Sequence, residues 1–557
     1  MLDYHHLHIE KKSQKYKEFV TMINYNQFNQ TSNHSFNVYQ AIKYCQEHKV
    51  DCLSFDKNTY DFYADMASED VLHVSNHDIY GIQRIAFLLK DMDNFTIDGG
   101  GSTFIFHDSI IPFALMHSSN ITIKNLYIDY DESMTLDAKV TNVQKDYFDC
   151  EFVNDDIYFI RDKMLYLSDK CGHDDIYHFL LIRSMDDKKD FIPQSKDAFR
   201  KFNPNIWFEE LSDKKVRVHN PDIDVVDGMH LIFKSNTRFS CNIVVDNCKN
   251  ISVENVTMYK SYGMGLLAQK TENILVDQMV VKASDDKLYS LNCDGTHFVH
   301  CKGLVCVRNS CFSEQQDDAL NVHGVFTKIV DKTSEYILVK YMHPSAKGLD
   351  IYETGSQIAV LNPKTLITNG TFTISNAEVI NMNYTKIYIQ EGTEQINIGD
   401  VVEDLTWSCD LLFENNRVFN NRARGLLIAA KGKVTIRDNY FNTPGVAILF
   451  ESDGQYWFES GGTNDVCISD NHFDNCRYSV GWGNHVIEVK PREEFNDGEY
   501  YHQKVEIANN KFTNNTTCLL YADNIAHLIF KNNNIQNKSS DSLVKLANCG
   551  EIDCDVL

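Results

Sequence analysis

Proline is scarce in this sequence, 8 residues in 557, and no low-complexity tract occurs, which excludes a disordered or collagen-like chain. No apolar run is long enough to cross a bilayer, so neither a membrane-spanning helix nor a membrane partner is expected. Long basic runs are missing too. Pairs such as Lys188-Lys189 and Lys214-Lys215 are short and fit a solvated face, and 53 Lys+Arg against 78 Asp+Glu leave a formal charge of −25. So acidic a chain repels nucleic acid, anionic lipid and polyanionic polysaccharide. The 16 cysteines show neither CxxC pairing nor a His/Cys zinc pattern. They read as small buried hydrophobes in a reducing compartment, with no disulfide framework, metal or cofactor. Met1 to Ser13 contains no apolar signal segment, so the cytoplasm is expected as written, and a periplasmic or secreted location if a signal peptide has been removed. A homo-oligomer is compatible with the sequence, which does not fix the assembly.

What is present is a repeat. Phe413-Glu-Asn-Asn416-Arg-Val, Ile436-Arg-Asp-Asn439-Tyr-Phe441, Ile468-Ser-Asp-Asn471-His-Phe473, Ile507-Ala-Asn-Asn510-Lys-Phe512 and Phe530-Lys-Asn-Asn533-Asn-Ile535 share one pattern: apolar, two mostly polar residues, Asn, any residue, apolar. The steps 413 to 436, 507 to 530 and 253 to 276 are each 23 residues. That period is too short for two packed helices and its residues alternate as strands do, so each repeat reads as one coil of a right-handed parallel β-helix, an all-β fold. The Asn is expected to take the left-handed turn conformation and to bond its equivalents in neighbouring coils. Ser35 to His48, with Phe36, Tyr39, Ala41, Ile42 and Cys45 apolar, reads as an amphipathic helix capping the open end, and coils are expected from near Phe95. Two stretches lack the period and are read as inserted β subdomains, the second barrel-like. The organisation is thus 1–130 cap and first coils, 131–227 insert, 228–324 coils, 325–404 barrel-like insert, and 405–557 C-terminal coils.

Aligning the second strand of each coil gives Met264-Gly-Leu-Leu-Ala, Asp294-Gly-Thr-His-Phe, Asp318-Ala-Leu-Asn-Val, Arg424-Gly-Leu-Leu-Ile and Gly445-Val-Ala-Ile-Leu. The corner residues form a column. With coils about 4.8 Å apart, the carboxylates of Asp294, Asp317 and Asp318 should lie close together. Such crowding raises at least one pKa and keeps a carboxyl protonated as a general acid. Asp317 and Asp318 can both face solvent only from a turn. A single Asp here would read as a turn cap, but three in one column read as catalytic. His323, Arg422, Arg424, Glu451, Trp457 and Glu459 follow as substrate-binding candidates, because an aromatic ring among charged groups suits a sugar. Two of them also have a bland reading, Trp457 as core packing and His323 as a turn residue.

Cys293-Asp-Gly-Thr-His-Phe298, Gln316-Asp-Asp-Ala-Leu-Asn-Val-His-Gly324, Asn421-Arg-Ala-Arg-Gly-Leu-Leu427, Asn442-Thr-Pro-Gly-Val-Ala-Ile-Leu449 and Trp457-Phe-Glu-Ser-Gly461 carry a resemblance to glycoside hydrolase family 110 over nearly the whole chain. The resemblance implies a β-helix with inserted barrels that removes terminal α-1,3-linked galactose from blood-group B type or linear glycans with inversion. It makes Asp294, Asp317 and Asp318 the catalytic carboxylates, with Asp294 as acid and Asp317 or Asp318 as base, or the reverse. Inversion calls for carboxyl groups roughly 6.5 to 9.5 Å apart. The competing readings are a polygalacturonase-like hydrolase, which should carry a basic subsite, a calcium-dependent lyase, and a non-catalytic glycan-binding β-helix protein.

Overall fold

The computed structural model describes residues 21–556 apart from 78–79, 133, 154, 156, 171, 184–204, 222–224, 236, 286, 391, 480, 492–498 and 537–541. Met1 to Ser13 and the Lys188-Lys189 pair therefore lie outside the described residues. The body is a parallel β-helix whose strands pair coil on coil in register, for example Leu411↔Val434, Val434↔Val466, Val466↔Val505 and Val505↔Leu528. The solenoid starts before Phe95. Met22–Asn24 already pairs in parallel with Cys52–Ser54, which pairs with Asp93–His107. Strands of three residues give no readable period.

Inside the coils, Phe441, Phe473 and Phe512 are fully buried and stack with centroids 5.1 and 4.9 Å apart. Each such side chain contributes about 1.5–3 kcal/mol by leaving water. The α-helix His34–His48 is N-capped by Asn33 and packs Val38, Ala41, Ile42 and Cys45 into the same core. Its buried face is rotated from the expected one: Tyr39 is exposed and Phe36 only half-buried.

The Asn repeat divides two tasks between neighbouring positions. The left-handed residues are Asn415, Asp438, Asp470, Asn509 and Asn532, with φ between 55° and 59°. The residue after each, Asn416, Asn439, Asn471, Asn510 or Asn533, belongs to a ladder that is buried except at its half-buried last rung, Asn533. The Oδ1 of Asn439 accepts from the backbone N–H of Asn416 at 2.8 Å, that of Asn471 from Asn439 at 3.0 Å, and that of Asn510 from Asn471 at 3.0 Å. Each side-chain amide also donates to a carbonyl one coil back, as Asn439 does to Phe413 at 2.9 Å. The recurring Asn thus bonds its equivalents as expected, but the preceding residue supplies the left-handed turn.

Exposed asparagine pairs between adjacent coils show where the chain leaves the solenoid and returns. Asn273 bonds Asn250 across 23 residues, whereas Asn250 bonds Asn120 across 130 and Asn415 bonds Asn309 across 106. The first excursion is an antiparallel sheet whose strand His230–Ser235, past residue 227, pairs with Thr135–Val143 and with Asp174–Arg183. The second is a closed six-stranded barrel from Thr327–Lys332 to Val401–Asp404, filled by Ile329, Val339, Ile358, Ile374 and Ile387. Among the described residues no helix is long and apolar enough to cross a membrane.

Candidate active site

The strands Leu266–Gln269, Thr296–Val299, Leu320–Val325, Leu426–Ile428 and Ile448–Phe450 stack in parallel. Two residues before each sits the corner, so the column runs Met264, Asp294, Asp318, Arg424, Val446. The register Leu426↔Ile448 places Val446, not Gly445, opposite Arg424. A small residue follows every corner because the next coil presses against it. A Cβ on Gly425 would stand 2.3 Å from the carbonyl oxygen of Ala447, and one on Gly295 would stand 2.7 Å from Phe312.

Asp317 sits in a bend one residue ahead of the column. Both neighbours of the acidic pair therefore reach the same side, and carboxylate oxygens of Asp294, Asp317 and Asp318 lie within 4.8 Å of one another. That is shorter than the separation expected of an inverting pair. Asp294 and Asp318 are 4% and 1% exposed, while the Asp317 side chain, at 18%, is the most open.

Cations surround the triad. Arg424 donates to Asp318 Oδ1 from its Nε at 3.1 Å and its backbone N–H at 3.0 Å, and its Nη2 lies 2.8 Å from Oδ2. Arg422 Nη1 lies 3.5 Å from Asp317 Oδ2 and its guanidinium rests over the Trp482 ring. Asn421, fully buried, donates to the carbonyls of Asp317, Arg422 and Arg424. Ala423 adopts φ 71°, a left-handed turn that costs a non-glycine residue about 1–2 kcal/mol and sends Arg422 and Arg424 to the same acidic cluster. Lys234, from the last strand of the first excursion, is buried and donates to the Gln316 carbonyl at 3.3 Å. The three oxygens are close enough to share a cation, but Arg422, Arg424, Lys234 and Arg238 already supply the compensating charge, so the cluster is not read as a metal centre.

Electrostatics separates the three acids. Burial, then the Asp317 charge, pushes the Asp294 carboxyl up to about 7. Burial pushes Asp317 up as well, but Arg422, Lys234, Arg424 and Arg238 outweigh it and hold Asp317 below the ordinary carboxylate range. Burial raises Asp318 to about 8, opposed by Arg424 and reinforced by Asp317 and Asp294. Groups in such contact titrate as a unit. Both Asp318 oxygens face Arg424, an arrangement made for an ionised carboxylate, so the proton held by the cluster belongs on Asp294.

The remaining candidates spread outward from the triad. Glu451 is linked to Lys490, whose Nζ lies 3.6 Å away and also bridges Glu488 at 3.0 Å. Trp457 is 41% exposed and its ring packs 4.8 Å from His343 of the barrel insert, so it is not a core residue. Asp453 accepts from the backbone N–H groups of Gln455, Tyr456 and Trp457 and shapes that loop. His323 does not offer itself to a sugar: its Nδ1 faces the Gly324 carbonyl at 2.6 Å and its Nε2 faces His297 at 3.0 Å. Glu459, brought beside it by the pairing of Glu459–Ser460 with Gly324–Val325, has Oε1 3.7 Å from His323 Nε2. Cys293, beside Asp294, is a buried thiol pushed up by burial.

Sequence reasoning missed His297, Lys234 and Arg238. His297 was legible as the outward residue three after Asp294. The other two come from the excursion, and no local pattern marks them.

The family model for GLAA-B β-barrel domain II matches residues 336–402, within the barrel. Alpha-1,3-galactosidase A of Shewanella woodyi is 28% identical over 481 residues, covering 85% of this chain and 78% of that protein. Alpha-1,3-galactosidase B of Phocaeicola vulgatus is 29% identical over 523 residues, covering 87% of this chain and 85% of its own. Among solved structures, a family 28 exopolygalacturonase of Yersinia enterocolitica covers 96% of this chain and 79% of its own at 11% identity and a TM-score of 0.42, too distant to bear on function. The relatives' likeness extends across most of the chain and bears out its resemblance to glycoside hydrolase family 110.

Proposed function

We propose that the chain is an exo-acting glycoside hydrolase that releases terminal α-1,3-linked galactose from blood-group B type or linear α-galactosyl glycans. One observation carries the chemistry: three carboxyl groups within 4.8 Å of one another, one pushed up to about 7 and one held below the ordinary range. Such a pair divides into a proton donor and an ionised base. The substrate comes from the relatives, which are named alpha-1,3-galactosidases. In this reading Asp294 protonates the leaving glycosidic oxygen and Asp317, the most open of the three, takes a proton from the attacking water. Asp318 stays ionised against Arg424 and fixes that guanidinium toward the sugar. Arg422, Glu451 and Trp457 complete the subsite, Trp457 stacking on the pyranose.

Inversion at the anomeric carbon is the stereochemistry that the family resemblance favours. The spacing of 4.8 Å or less favours a second reading, in which Asp317 attacks the sugar directly and configuration is retained. Proton NMR of galactose released from a terminal α-1,3-galactosyl disaccharide decides between them: β-galactose first is expected, and α-galactose first establishes retention. The acid role is tested with two substrates. Asp294→Asn should slow hydrolysis of the disaccharide roughly 10²–10⁴-fold, but slow a p-nitrophenyl α-galactoside far less, because nitrophenolate leaves without a proton. Equal losses on both would remove Asp294 from the acid role, and no galactose release by the unaltered protein would overturn the assignment.

A further inference from the structure

Trp482 takes no part in the reaction as written above, yet the chain holds it in an unusual way. Gly481, Trp482 and Gly483 are three consecutive residues at positive φ, 90°, 44° and 95°. Glycine adopts that region freely, whereas an aromatic residue stays there only where its surroundings keep it. Trp482 precedes the strand Ile487–Val489, which stacks on Ile448–Phe450, and its carbonyl accepts from the Val446 N–H at 3.0 Å. Gly445 admits it, because a Cβ there would stand 2.9 Å from the Trp482 Cβ. Arg477 Nε donates to the Gly483 carbonyl at 3.1 Å. Glu488, 1% exposed, pins the loop from beyond: Oε1 accepts from the backbone N–H groups of Asn484 at 2.6 Å and His485 at 3.1 Å, and Oε2 lies 3.0 Å from Lys490 Nζ. Burial pushes the Glu488 carboxyl up, but His485, the Asn484 N–H and Lys490 outweigh it and hold it at about 2, so the pin stays ionised at working pH.

From this seat the indole reaches back past Gly445 to Arg422, whose guanidinium carbon lies 5.1 Å from the ring centroid. The same guanidinium donates from Nη1 to the Gln316 carbonyl at 3.2 Å and stands 3.5 Å from Asp317 Oδ2. The Arg422 side chain is only 7% exposed, and a desolvated cation is drawn to an aromatic face more strongly than a solvated one. At 3.5 Å the ion pair with Asp317 is not a two-bond fork, so its geometry depends on what backs the guanidinium.

We propose that Trp482 is a positioning residue: its indole backs the Arg422 guanidinium and holds that charge against Asp317. This rests on the reading of Asp317 as the base.

Asp317 is faced by Arg422 and Arg424 from the coil that follows, Lys234 and Arg238 from the first excursion, Asp294, Cys293 and His297 from the coil that precedes, and Asp318 along the chain. Burial raises Asp317, and among the cations opposing it Arg422 acts most strongly. A guanidinium that swings away therefore withdraws the largest share of the compensation, while Lys234, Arg424 and Arg238 keep the rest. Arg422 pushes Asp317 down, so losing its backing moves the Asp317 titration up, and the acid limb of kcat/KM moves up with it. The alkaline limb stays, because Arg238, Arg424 and Lys234 are the cations that act most on Asp294.

Trp482→Leu removes the ring and keeps an apolar side chain unbranched at Cβ. On the terminal α-1,3-galactosyl disaccharide the acid limb should rise by about half to one pH unit with the alkaline limb in place. Trp482→Phe restores a ring face and should bring the acid limb back to within about 0.2 pH unit of the unaltered protein. An acid limb that Trp482→Leu leaves unmoved would overturn the proposal: a uniform loss across pH marks loose packing, and a rise in KM alone marks a ring that touches the sugar. If Trp482→Leu does not fold, ¹⁵N-arginine NMR of the unaltered protein and of Trp482→Phe decides. The indole should shift the Arg422 Nε–H upfield and phenylalanine should shift it less, and an Arg422 signal at the random-coil position would overturn the contact. If the unaltered protein releases no galactose, the functional reading fails by itself. The positioning is then judged by ¹³C-carboxyl NMR, where Trp482→Leu should raise the Asp317 titration and an unmoved titration would overturn it.

Discussion

Replacing Asn439 by alanine tests what holds the coils at their fixed spacing. The Asn439 side chain is buried, accepts from the Asn416 N–H at 2.8 Å, and donates to the Phe413 carbonyl and to Asn471 Oδ1, each at 2.9 Å. Alanine strips the Asn416 N–H and the Phe413 C=O of these partners at a site that water does not reach. An orphaned buried polar group costs about 1–3 kcal/mol, so the pair should cost roughly 2–6 kcal/mol. Against a typical folding stability of about 5–15 kcal/mol that loss is severe. The left-handed neighbour is the control, since Asp438→Ala gives up no ladder bond and should cost about 1–2 kcal/mol. Urea unfolding of the full chain gives both values, and hydrogen exchange at the Asn416 amide shows whether the damage is local. A cost for Asn439→Ala within about 0.5 kcal/mol of zero, or no greater than that of Asp438→Ala, would refute the ladder as a source of stability.

Two further outcomes are expected. Since Asp294 works protonated and is raised to about 7, kcat/KM should fall as pH rises through about 7; Asp317 works ionised and is held low by Arg422, Lys234, Arg424 and Arg238 against its burial, so the acid limb should lie below that of an ordinary carboxylate. A pH–rate profile on the disaccharide checks both limbs. Arg424→Lys keeps the charge but loses the fork on Asp318, made by Nε at 3.1 Å and Nη2 at 2.8 Å, and should lower kcat/KM roughly ten- to a hundredfold.

The ladder was legible in the sequence because an apolar residue returns on both sides of a fixed Asn. Its division of labour was not, because Asn occupies both positions in three of the five repeats quoted, and only Asp438 and Asp470 separate the turn residue from the ladder residue. The acidic column was readable for a similar reason: a stacked coil turns sequence offset into spatial neighbourhood, and Asp294, Asp317 and Asp318 are one coil step apart. Where the corner lacks a charge the sequence offers no marker, and the register puts Val446 rather than Gly445 at that position. The sequence leaves His323 open between sugar ligand and turn residue, because its local context does not show the contacts of its two ring nitrogens with His297 and the Gly324 carbonyl. Lys234 reaches the acids from the last strand of a sheet that breaks the period and Arg238 from the segment just after it, so their arrival is a tertiary event with no local signature.

The register kept across the excursions bears on how the molecule assembles. Stretching the link between adjacent coils from 23 to 130 residues adds only about 1.5 kcal/mol of closure entropy, because that penalty grows with the logarithm of length. The solenoid thus tolerates a long detour thermodynamically while its kinetics feel it: short-range stacking from Lys249–Met258 onward can nucleate before the first coils dock. Because Lys234 rides on that detour, the charge environment of the acids is complete only after the late join. The chemistry would then switch on at the last step of folding, and the earliest intermediates would be inert.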